Sequence, residues 1–466
     1  MRHRENMQRV DVAIVGGGPA GTSAAIAAAE RGADAIVIEK GVPRSDRDRL
    51  GPDSTDAAGF LDYWVDIADI DVEALPEDVI LREIDGADFV GPNEHVAIDR
   101  TGLPSSYDGF GFTFDRTRLD DHLRDRAEQM GAEYRVGTAV RSVETDLTGT
   151  PEHTLRLADG SEIVSSQLIL ADGPQRQVTI PVLDQYLPAD RQASSVMNPR
   201  SANHIAYQEY REFPEEVFDP SRLSFWWGWM PGETAYPWIF PNAGSVARIG
   251  LTMPIGMDIG DVSDRDAYRL LKPEDERFPT GRVLVRRMLD ELYGDEYDVE
   301  TDFPVLESGH GKSDGTETYP ISSTKPIDSP TDANIAVVGG AMGTTSAFHE
   351  GGDHVAIRTG KIAGRLAATD SLDRYNRSWK EAIGEEVRRN VAMASIVEAY
   401  TPADWDHVFR TVRDILSYRD GGSMIDFSSV RTGFDALSLL TRYEWRRFLQ
   451  RGDRCAMIQE STYSVR

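Results

Sequence analysis

A glycine-rich run near the start of the chain, Gly16-Gly17-Gly18-Pro19-Ala20-Gly21, has the arrangement that binds a pyrophosphate. Gly16 permits a tight turn, Gly18 lets the backbone approach the phosphates, and Gly21 allows a helix to pack closely on a strand. Glu39 lies 18 residues beyond Gly21, where a carboxylate can accept hydrogen bonds from an adenosine ribose. Because that carboxylate would repel a 2′-phosphate, FAD or NAD is favoured over NADP.

The elements that hold this loop follow a Rossmann-like order. Val12 to Val15 is an apolar run typical of a buried parallel strand, and an alanine-rich helix after the glycines can end at Gly32. Ala35 to Ile38 predicts a second strand that ends in the acid. The order of strand, glycine loop, helix, strand and acid therefore predicts an α/β dinucleotide-binding domain.

Three segments resemble the FAD-binding flavoproteins that include p-hydroxybenzoate hydroxylase and the geranylgeranyl reductases. The glycine run with its acid is the first segment, and Ala20 lies within it. The second segment holds two motifs. Asp115-Arg116, which introduces a helix that Gly131 can end, is similar to the family's Asp-Arg pair, whose arginine contacts the flavin. The run Leu168 to Gly173 is similar to the family's strand that ends in Asp-Gly, so the resemblance implies a cofactor role for Asp172.

The third segment is an apolar strand, Asn334 to Gly340, followed by His349-Glu350-Gly351-Gly352 and a helix. The family's strand ends in Gly-Asp, and its later glycines open a helix aimed at the flavin. Gly352 lies twelve positions after Gly340, so the spacing is kept. The aspartate is replaced by Gly340, and the loss of one hydrogen bond to the ribityl chain would cost about 1–3 kcal/mol.

Another departure lies after the second strand. Many geranylgeranyl reductases carry an Arg-Cys-Gly run near the flavin, and this chain has Arg49-Leu50-Gly51 there. The resemblance implies flavin contacts for Arg49 and Gly51. The role of proton donor that a cysteine could fill cannot be transferred to Leu50.

Residues 178–330 have a different texture, with alternating and aromatic runs typical of antiparallel strands. We expect strands over Ile205 to Tyr210, Leu223 to Met230, Ala235 to Phe240 and Val246 to Met253. Four of the eight tryptophans fall between 226 and 238, where they would occupy both faces of a sheet. One face would pack on a core, while the other would either be buried as well or cover a ligand.

Tyr236-Pro237-Trp238-Ile239-Phe240-Pro241, with Gly250 nine residues later, resembles the Tyr-x-Trp-x-Phe-Pro signature of the geranylgeranyl reductase family. There the signature lines the isoprenoid cavity beside the flavin, which implies that Tyr236, Trp238, Phe240 and Pro241 bind substrate. Thr252 replaces a further glycine. An aromatic wall suits a polyprenyl chain, since such a chain offers no hydrogen bonds.

The resemblance implies an FAD-dependent reductase that saturates carbon–carbon double bonds of a geranylgeranyl or other polyprenyl lipid. His349, just before the glycines, is a candidate proton donor, and a structural role is the alternative. The other candidate functions are aromatic monooxygenation through a flavin hydroperoxide and non-catalytic prenyl binding with a degenerate flavin site. Because the sequence has one dinucleotide fingerprint, we expect an external electron donor, either a ferredoxin or NAD(P)H.

The formal net charge of −28 argues against nucleic acid as a partner, because the surface would repel phosphate. Arginine supplies 44 of the 50 basic residues, and this composition predicts a halophilic, haloarchaeal protein. In molar salt the Debye length of about 3 Å screens such repulsion. Cys455 is the sole cysteine, so this chain's thiolates cannot hold an iron–sulfur cluster, and the composition indicates no metal site. That cysteine count also disfavours electron transfer to a quinone through such a cluster.

The motifs divide the chain into three units. We expect an FAD-binding domain over 8–60, 112–177 and 331–370, a substrate domain over 61–111 and 178–330, and a helical region over 371–466. Predicted helices in that region cover about 379–400, 405–418 and 434–449.

The sequence also bears on where the protein works. No signal peptide or membrane span is recognisable, so we expect a cytoplasmic protein. Residues 431–466 hold seven arginines and four acids, which leaves two placements open. The segment could rest on the inner face of the membrane through anionic lipid, or it could pack on its own acidic chain.

Overall fold

The computed structural model describes residues 7–42, 58–306, 315–420, 440–450 and 452–465. Its strands, in chain order, are β1 (Met7–Val15), β2 (Ala35–Glu39), β3 (Gly59–Leu61), β4 (Ile80–Ile84), β5 (Gly86–Val90), β6 (His95–Ile98), β7 (Gly111–Phe114), β8 (Glu133–Val136), β9 (Val140–Asp146), β10 (Glu152–Leu157), β11 (Glu162–Leu170), β12 (Asn203–Glu212), β13 (Arg222–Trp226), β14 (Tyr236–Pro241), β15 (Val246–Pro254), β16 (Thr316–Ser322) and β17 (Ile335–Val337).

The helices are α1 (Pro19–Ala29), α2 (Asp62–Ala68), α3 (Arg116–Gln129), α4 (Thr179–Leu183), α5 (Ala193–Val196), α6 (Pro199–Ala202), α7 (Gly281–Tyr293), α8 (Val299–Asp302), α9 (Gly339–Met342), α10 (Asp353–Ala367), α11 (Tyr375–Val397) and α12 (Pro402–Asp420). A further helical segment covers 440–449. None of the helices in the described ranges combines the length and the apolar character needed to cross a bilayer.

The first sheet, which we call the cofactor sheet, has the order β8-β2-β1-β11-β10-β9, with β17 beside β11. β1 runs parallel to both β2 and β11, and β17 runs parallel to β11. Val12, Ala13 and Ile14 of β1 are fully buried because helices cover a parallel sheet on both faces. The predicted Rossmann-like α/β fold is therefore confirmed.

Helices α1 and α10 cross in close contact because α10 has glycines where they meet. A side-chain carbon at Gly360 would overlap the carbonyl oxygen of Ala20, and one at Gly364 would overlap that of Ala24. The helix predicted after Gly352 is thus packed directly on the helix that follows the glycine loop.

The second sheet, which we call the substrate sheet, has the order β16-β12-β15-β14-β13-β5-β6. Its pairings are antiparallel except for β13 with β5. Side chains of β14 alternate between two cores: Ile239 packs with α7, and Tyr236 and Trp238 pack with Trp405 of α12. A smaller sheet, β3-β7-β4, completes the described strands.

The expected strand from Leu223 to Met230 is wrong beyond Trp226, where β13 ends. Gly228 has φ +76°, so the backbone turns there in the left-handed region. A side-chain carbon on Gly228 would lie 3.0 Å from the Trp405 ring. The aromatic run therefore leaves the sheet to pack under α12.

The three C-terminal helices predicted from composition correspond to α11, α12 and segment 440–449, while residues 431–439 lie outside the described ranges.

Candidate active site

The glycine loop joins the carboxyl end of β1 to α1. Gly16 has φ +104°, and a side-chain carbon there would overlap the carbonyl oxygen of Ala171, the residue that follows neighbouring β11. One on Gly21 would overlap the oxygen of Gly16. Around Gly18, in contrast, an added carbon would meet no atom within 4 Å. Gly16 and Gly21 are thus required by packing, while Gly18 borders open space of the kind that a pyrophosphate needs.

Glu39 lies beside this loop at the end of β2. Its Oε2 accepts a hydrogen bond from the Gly17 N–H at 2.6 Å, and its Oε1 accepts one from the Gly41 N–H at 2.7 Å. Each carboxylate oxygen keeps a lone pair. The position therefore fits the predicted contact to a ribose.

Two helices begin near the loop without a side-chain cap. Neither α1, whose N-cap is Gly18, nor α10, whose N-cap is Gly352, has a side chain that accepts its first N–H groups. Uncapped helix N-termini attract anions and carbonyl dipoles. The methyl group of Ala20 faces Gly339, where a side-chain carbon would lie 2.8 Å away, so Ala20 also spaces α1 from the start of α9.

Arg116, the arginine of the predicted Asp-Arg pair, connects α3 with α10. Its Nη1 lies 2.9 Å from Oδ1 of Asp353, and its Nε lies 3.0 Å from Oδ1 of Asp120. Asp115 caps α3 by accepting the N–H groups of Thr117 and Arg118. Arg116 is 7% exposed, and its guanidinium contacts the first residue of α10. The resemblance predicts that the N-terminus of this helix points at the flavin.

The side chain of Asp172 is used inside the protein. Its Oδ2 accepts the N–H groups of Val178 at 2.6 Å and Thr179 at 3.1 Å, and its Oδ1 accepts the Thr179 hydroxyl. Burial raises the pKa of this carboxyl, while those hydrogen bonds act in the opposite direction. Asp172 therefore shapes the chain that follows β11, and its predicted cofactor role stays a prediction.

Arg176 was not anticipated from the sequence. It is 1% exposed, and burial lowers the pKa of its guanidinium to about 10 although nearby Asp172 acts to raise it. The five N–H donors are all used, on the carbonyls of Pro174, Gly340 and Ala341 and on the side chains of Asn203 and Ser322. The guanidinium thereby fixes the start of α9, where the ribityl contact is expected.

The absence of an aspartate at position 340 has a packing explanation. A side-chain carbon on Gly340 would lie 3.2 Å from Cδ of Pro174, tighter than most real contacts. The missing side chain thus leaves room for Pro174 beneath the α9 backbone.

The loop 349–352 is held from both sides. The ring of His349 stacks on Trp64 with centroids 4.8 Å apart, and His354 stacks on the same indole at 4.3 Å. The Nδ1 of His349 accepts the Gly351 N–H at 3.2 Å, and its Nε2 lies 3.5 Å from Oε1 of Glu386. A side-chain carbon on Gly351 would lie 2.8 Å from Trp64, so this glycine is needed for the stack.

Burial, reinforced by Arg389, lowers the pKa of His349 to about 3. Burial and the neighbouring His349 lower the pKa of His354 well below its ordinary value. Both imidazoles are therefore neutral near pH 7. A neutral imidazole is a weak acid, so the surroundings of His349 do not favour it as the proton donor.

This gives the first prediction, on stability in acid. A histidine that stays neutral in the folded chain binds its proton more readily once unfolded, so stability falls as pH drops below about 6.5. The replacement His354→Gln should reduce the slope of unfolding free energy against pH by up to about 1.4 kcal/mol per pH unit between roughly pH 6 and pH 4. Urea titrations at stepped pH would measure the slope. His95→Gln, at an exposed histidine, is the control, and equal slopes for wild type and His354→Gln would contradict the prediction.

The four residues predicted to bind substrate lie together in β14, all buried. Tyr236, Trp238 and Phe240 face the same side of the sheet. The Trp238 ring occupies the place where a side chain on Gly250 would be, and a carbon on Gly59 would lie 3.0 Å from Phe240. Pro241 ends the strand, and its carbonyl accepts the Thr113 hydroxyl at 2.7 Å. The spacing to Gly250 therefore has a packing reason.

One hydrogen bond joins strand β14 to the loop 349–352. The Tyr236 hydroxyl donates to the carbonyl oxygen of His349 at 2.6 Å. The Tyr236 ring stacks on Trp227 at 4.4 Å, and Trp227 stacks on Phe348 at 5.2 Å. The two motifs that the sequence assigned to substrate and to flavin thus touch each other.

A pair of ionisable side chains lies beside this contact. Nδ1 of His204 is 2.5 Å from Oε1 of Glu350, and Oε2 of Glu350 accepts the Thr252 hydroxyl at 2.5 Å. Glu350 is 7% exposed and has φ +58°. Sequence reasoning missed this pair; the available signals were an acid inside a glycine run and a threonine at a position where the family has glycine.

A cleft of about 1340 Å³ opens next to His204. Its walls come from the ends of β12 and β15, the loop before β14, and α11 with the start of α12. Ionisable and polar residues in its lining include His204, Glu233, Thr234, Arg200, Lys325 and Glu398. The four predicted substrate residues of β14 do not line this cleft, which begins at Thr234, two residues before Tyr236.

The predicted cofactor residues Arg49 and Gly51 lie outside the described residues.

Comparisons with known proteins agree with this geometry. Residues 11–71 match the family model of an FAD binding domain. The chain is 24% identical over 445 residues to digeranylgeranylglycerophospholipid reductase 2 of Methanothermobacter thermautotrophicus, across 93% of this chain and 98% of that protein.

Two solved structures show the fold. A geranylgeranyl bacteriochlorophyll reductase-like protein from Thermoplasma acidophilum has a TM-score of 0.67 at 20% identity, covering 94% of this chain and 100% of that one. A myxobacterial chondrochloren halogenase that is FAD-dependent has a TM-score of 0.57 at 15% identity, covering 98% and 95%. The open space at Gly18, the uncapped helices and these matches together confirm FAD as the cofactor. Since a halogenase shares the fold, the fold alone does not select the chemistry.

Proposed function

We propose that this chain, a flavoprotein of the geranylgeranyl reductase family, saturates carbon–carbon double bonds of a geranylgeranyl or other polyprenyl lipid with FAD as cofactor. The observation that carries the proposal is the hydrogen bond from Tyr236 to the His349 carbonyl, which joins the aromatic motif of β14 to the loop 349–352. The relative from Methanothermobacter is a reductase of a digeranylgeranyl lipid and aligns over nearly the whole chain, which supports the same substrate class.

When bound, reduced FAD supplies a hydride to one carbon of an alkene. The chain's own residues orient the reactants and exclude water. Arg116 and Asp353 hold the start of α10 in place, and the uncapped N-terminus of that helix provides a fixed dipole. We assign the lipid to the cleft at His204 and Thr234. Tyr236, Trp238, Phe240 and Pro241 lie in the buried strand that follows Thr234 and support the edge of the cleft without lining it.

Aromatic monooxygenation is the second candidate, because the fold, which an FAD-dependent halogenase shares, does not by itself select the chemistry. It would require a site that admits oxygen and a phenolic ring. The nearly full-length alignment with a digeranylgeranylglycerophospholipid reductase favours a prenyl lipid, so we rank this candidate lower. Electrons would arrive from outside the chain, from a ferredoxin or from NAD(P)H.

The second prediction concerns the reaction itself. Protein with dithionite-reduced FAD should convert a geranylgeranyl glycerophospholipid to products heavier by two hydrogen atoms for each double bond saturated, because hydride and proton both add to the lipid. Mass spectrometry of the extracted lipid measures this. FAD reduced without protein is the control, and an unchanged lipid mass under full reduction would contradict the function.

We also propose that segment 440–449 contacts the membrane surface. Leu440, Trp445 and Phe448 are 59%, 61% and 45% exposed, and the rings of Trp445 and Phe448 stack at 6.0 Å. Arg442 and Arg446 are exposed on the same segment. Tryptophan favours the interface between water and lipid, and arginine is attracted to anionic headgroups. Arg447 pairs with Glu385 of α11, which anchors the segment to the body of the protein.

The third prediction tests this contact. The double variant Trp445→Ser with Phe448→Ser should lower binding to phosphatidylglycerol vesicles at least tenfold, since each buried aromatic side chain contributes about 1.5–3 kcal/mol. Sedimentation with vesicles measures the bound fraction. The control is Val283→Ser, at an exposed apolar residue of α7. Equal binding by the wild type and the double variant would place the segment against its own chain instead.

A further inference from the structure

The His204–Glu350 pair connects three parts of the molecule. His204 lies at the start of β12, Thr252 lies on β15, and Glu350 belongs to the loop 349–352 before α10. The left-handed backbone of Glu350 is a conformation that costs a residue other than glycine on the order of 1 kcal/mol. Such a conformation persists where the surroundings hold it, and here the ion pair to His204 and the Thr252 hydroxyl do so.

One side of the His204 ring faces the cleft. Nδ1 lies in ion-pair contact with Glu350, and His204 lines the cleft, so we assign Nε2 to the cleft. His204 as a residue is 9% exposed, so it is largely shielded from bulk water while it lines the cleft. Arg200 and Lys325 line the same cleft, as do the acids Glu233 and Glu398.

The charges around the ring favour its protonated form. Burial by itself would lower the pKa of His204, but the Glu350 carboxylate, with a smaller contribution from Glu233, raises it above the ordinary value. Burial and Glu398 raise the pKa of Glu233 in turn, while His204 acts in the opposite direction. These acids form a series of titratable groups that runs from solvent at Glu398 to the buried pair.

We infer that His204 is the proton donor of the proposed reduction and that Glu350 is its positioning residue, an inference that rests on the proposed function. Reduced FAD, when bound, would supply the hydride that adds to one alkene carbon. The Nε2–H bond of the His204 imidazolium breaks, and its proton forms the C–H bond on the other carbon as the π bond is lost. The imidazole is left neutral, and a solvent proton that passes Glu233 restores it. The alkene gains two electrons and two hydrogens, and the flavin loses two electrons.

His204 has two properties of a proton donor that His349 does not have. His349 is neutral and its ring is packed on Trp64, whereas His204 carries a counter-ion and borders the cleft. Thr252 also gains a purpose, because its hydroxyl orients the carboxylate that charges His204.

The test uses FAD-loaded protein, reduced anaerobically and mixed with a geranylgeranyl lipid while flavin reoxidation is followed. His204→Gln keeps a hydrogen-bond donor toward Glu350 but carries no acidic proton. Its rate constant at saturating lipid should fall roughly 10²–10⁴-fold with little change in KM, the usual contribution of a general acid. His95→Gln, at a residue outside the site, should behave as wild type.

Glu350→Gln separates a chemical role from a structural one. With the carboxylate neutralised, His204 loses its proton at lower pH, so the alkaline fall of the rate should move to lower pH while the rate at low pH is retained. NMR titration of the His204 imidazole in the FAD-loaded protein should show the same downward move. This variant also decides the matter if His204→Gln does not fold.

Three results would overturn the inference. Reoxidation by His204→Gln at the wild-type rate, or an identical pH profile in Glu350→Gln, rejects His204 as the donor and leaves the proposed function standing. Wild-type flavin that no prenyl lipid reoxidises rejects the proposed function, and the inference with it.

Discussion

Gly21→Ala is expected to abolish FAD binding and to destabilise the fold by roughly 3 kcal/mol or more, at the upper end of the cost of overpacking. The new methyl group would overlap the carbonyl oxygen of Gly16, and backbone on that side cannot yield without displacing the β1–α1 turn. Flavin absorbance of the purified protein and its urea denaturation midpoint measure the two effects.

Two further glycines separate packing from cofactor binding. Gly18→Ala meets no protein atom, so its stability should stay close to wild type, while its affinity for FAD should fall about tenfold or more because the methyl group occupies the space of the pyrophosphate. Gly149→Ala, also in open space but remote from the loop, should change neither property. A Gly21→Ala protein that is yellow and as stable as wild type would contradict the geometry of the loop.

Arg176→Met is expected to destabilise the protein by at least about 3 kcal/mol and to weaken FAD binding. Methionine retains much of the apolar stem but removes five buried hydrogen bonds. The carbonyls of Pro174 and Gly340 keep a donor in Asn203 and Gly343, and each acceptor left without a donor costs about 1–3 kcal/mol before relaxation. The Gly340 loop, which Arg176 holds, should loosen as well.

Calorimetry and FAD titration measure the two effects of Arg176→Met. Arg156→Met is the matched control, since that arginine is half-exposed and makes only surface ion pairs with Glu144 and Glu162. If both variants lost equally little stability, the buried arginine would not have the structural role described.

The nucleotide half of the molecule could be predicted from sequence because its determinants are local. Gly16, Gly21 and Glu39 lie within one β-α-β unit, and their spacing follows from the geometry of that unit. The same holds for the β14 run, where Trp238 and Gly250 are neighbours on adjacent antiparallel strands.

The parts that could not be predicted depend on contacts between distant segments. Arg176 reaches acceptors from 174 to 341, and His204 meets a carboxylate 146 positions away. No local spacing signals such a pair, because two features that are distant in sequence bring its members together. They are the register of the substrate sheet and the path of the loop 349–352. Asp172 shows the reverse case: its position was anticipated, but its side chain is used by Val178 and Thr179.

The two departures from the family pattern also take on meaning only in three dimensions. Gly340 leaves space for Pro174, and Thr252 donates its hydroxyl to Glu350. Read along the chain, each looks like a weakened motif. In the folded protein, each belongs to a contact specific to this chain.

The most direct measurement of the proposed activity is the anaerobic absorbance of the protein-bound flavin after reduction. Addition of a geranylgeranyl lipid should restore the oxidised flavin spectrum, with one double bond saturated for each flavin reoxidised. A spectrum that stays reduced with every prenyl lipid, yet recovers when oxygen and a phenol are added and the phenol is hydroxylated, would contradict the reductase and identify a monooxygenase.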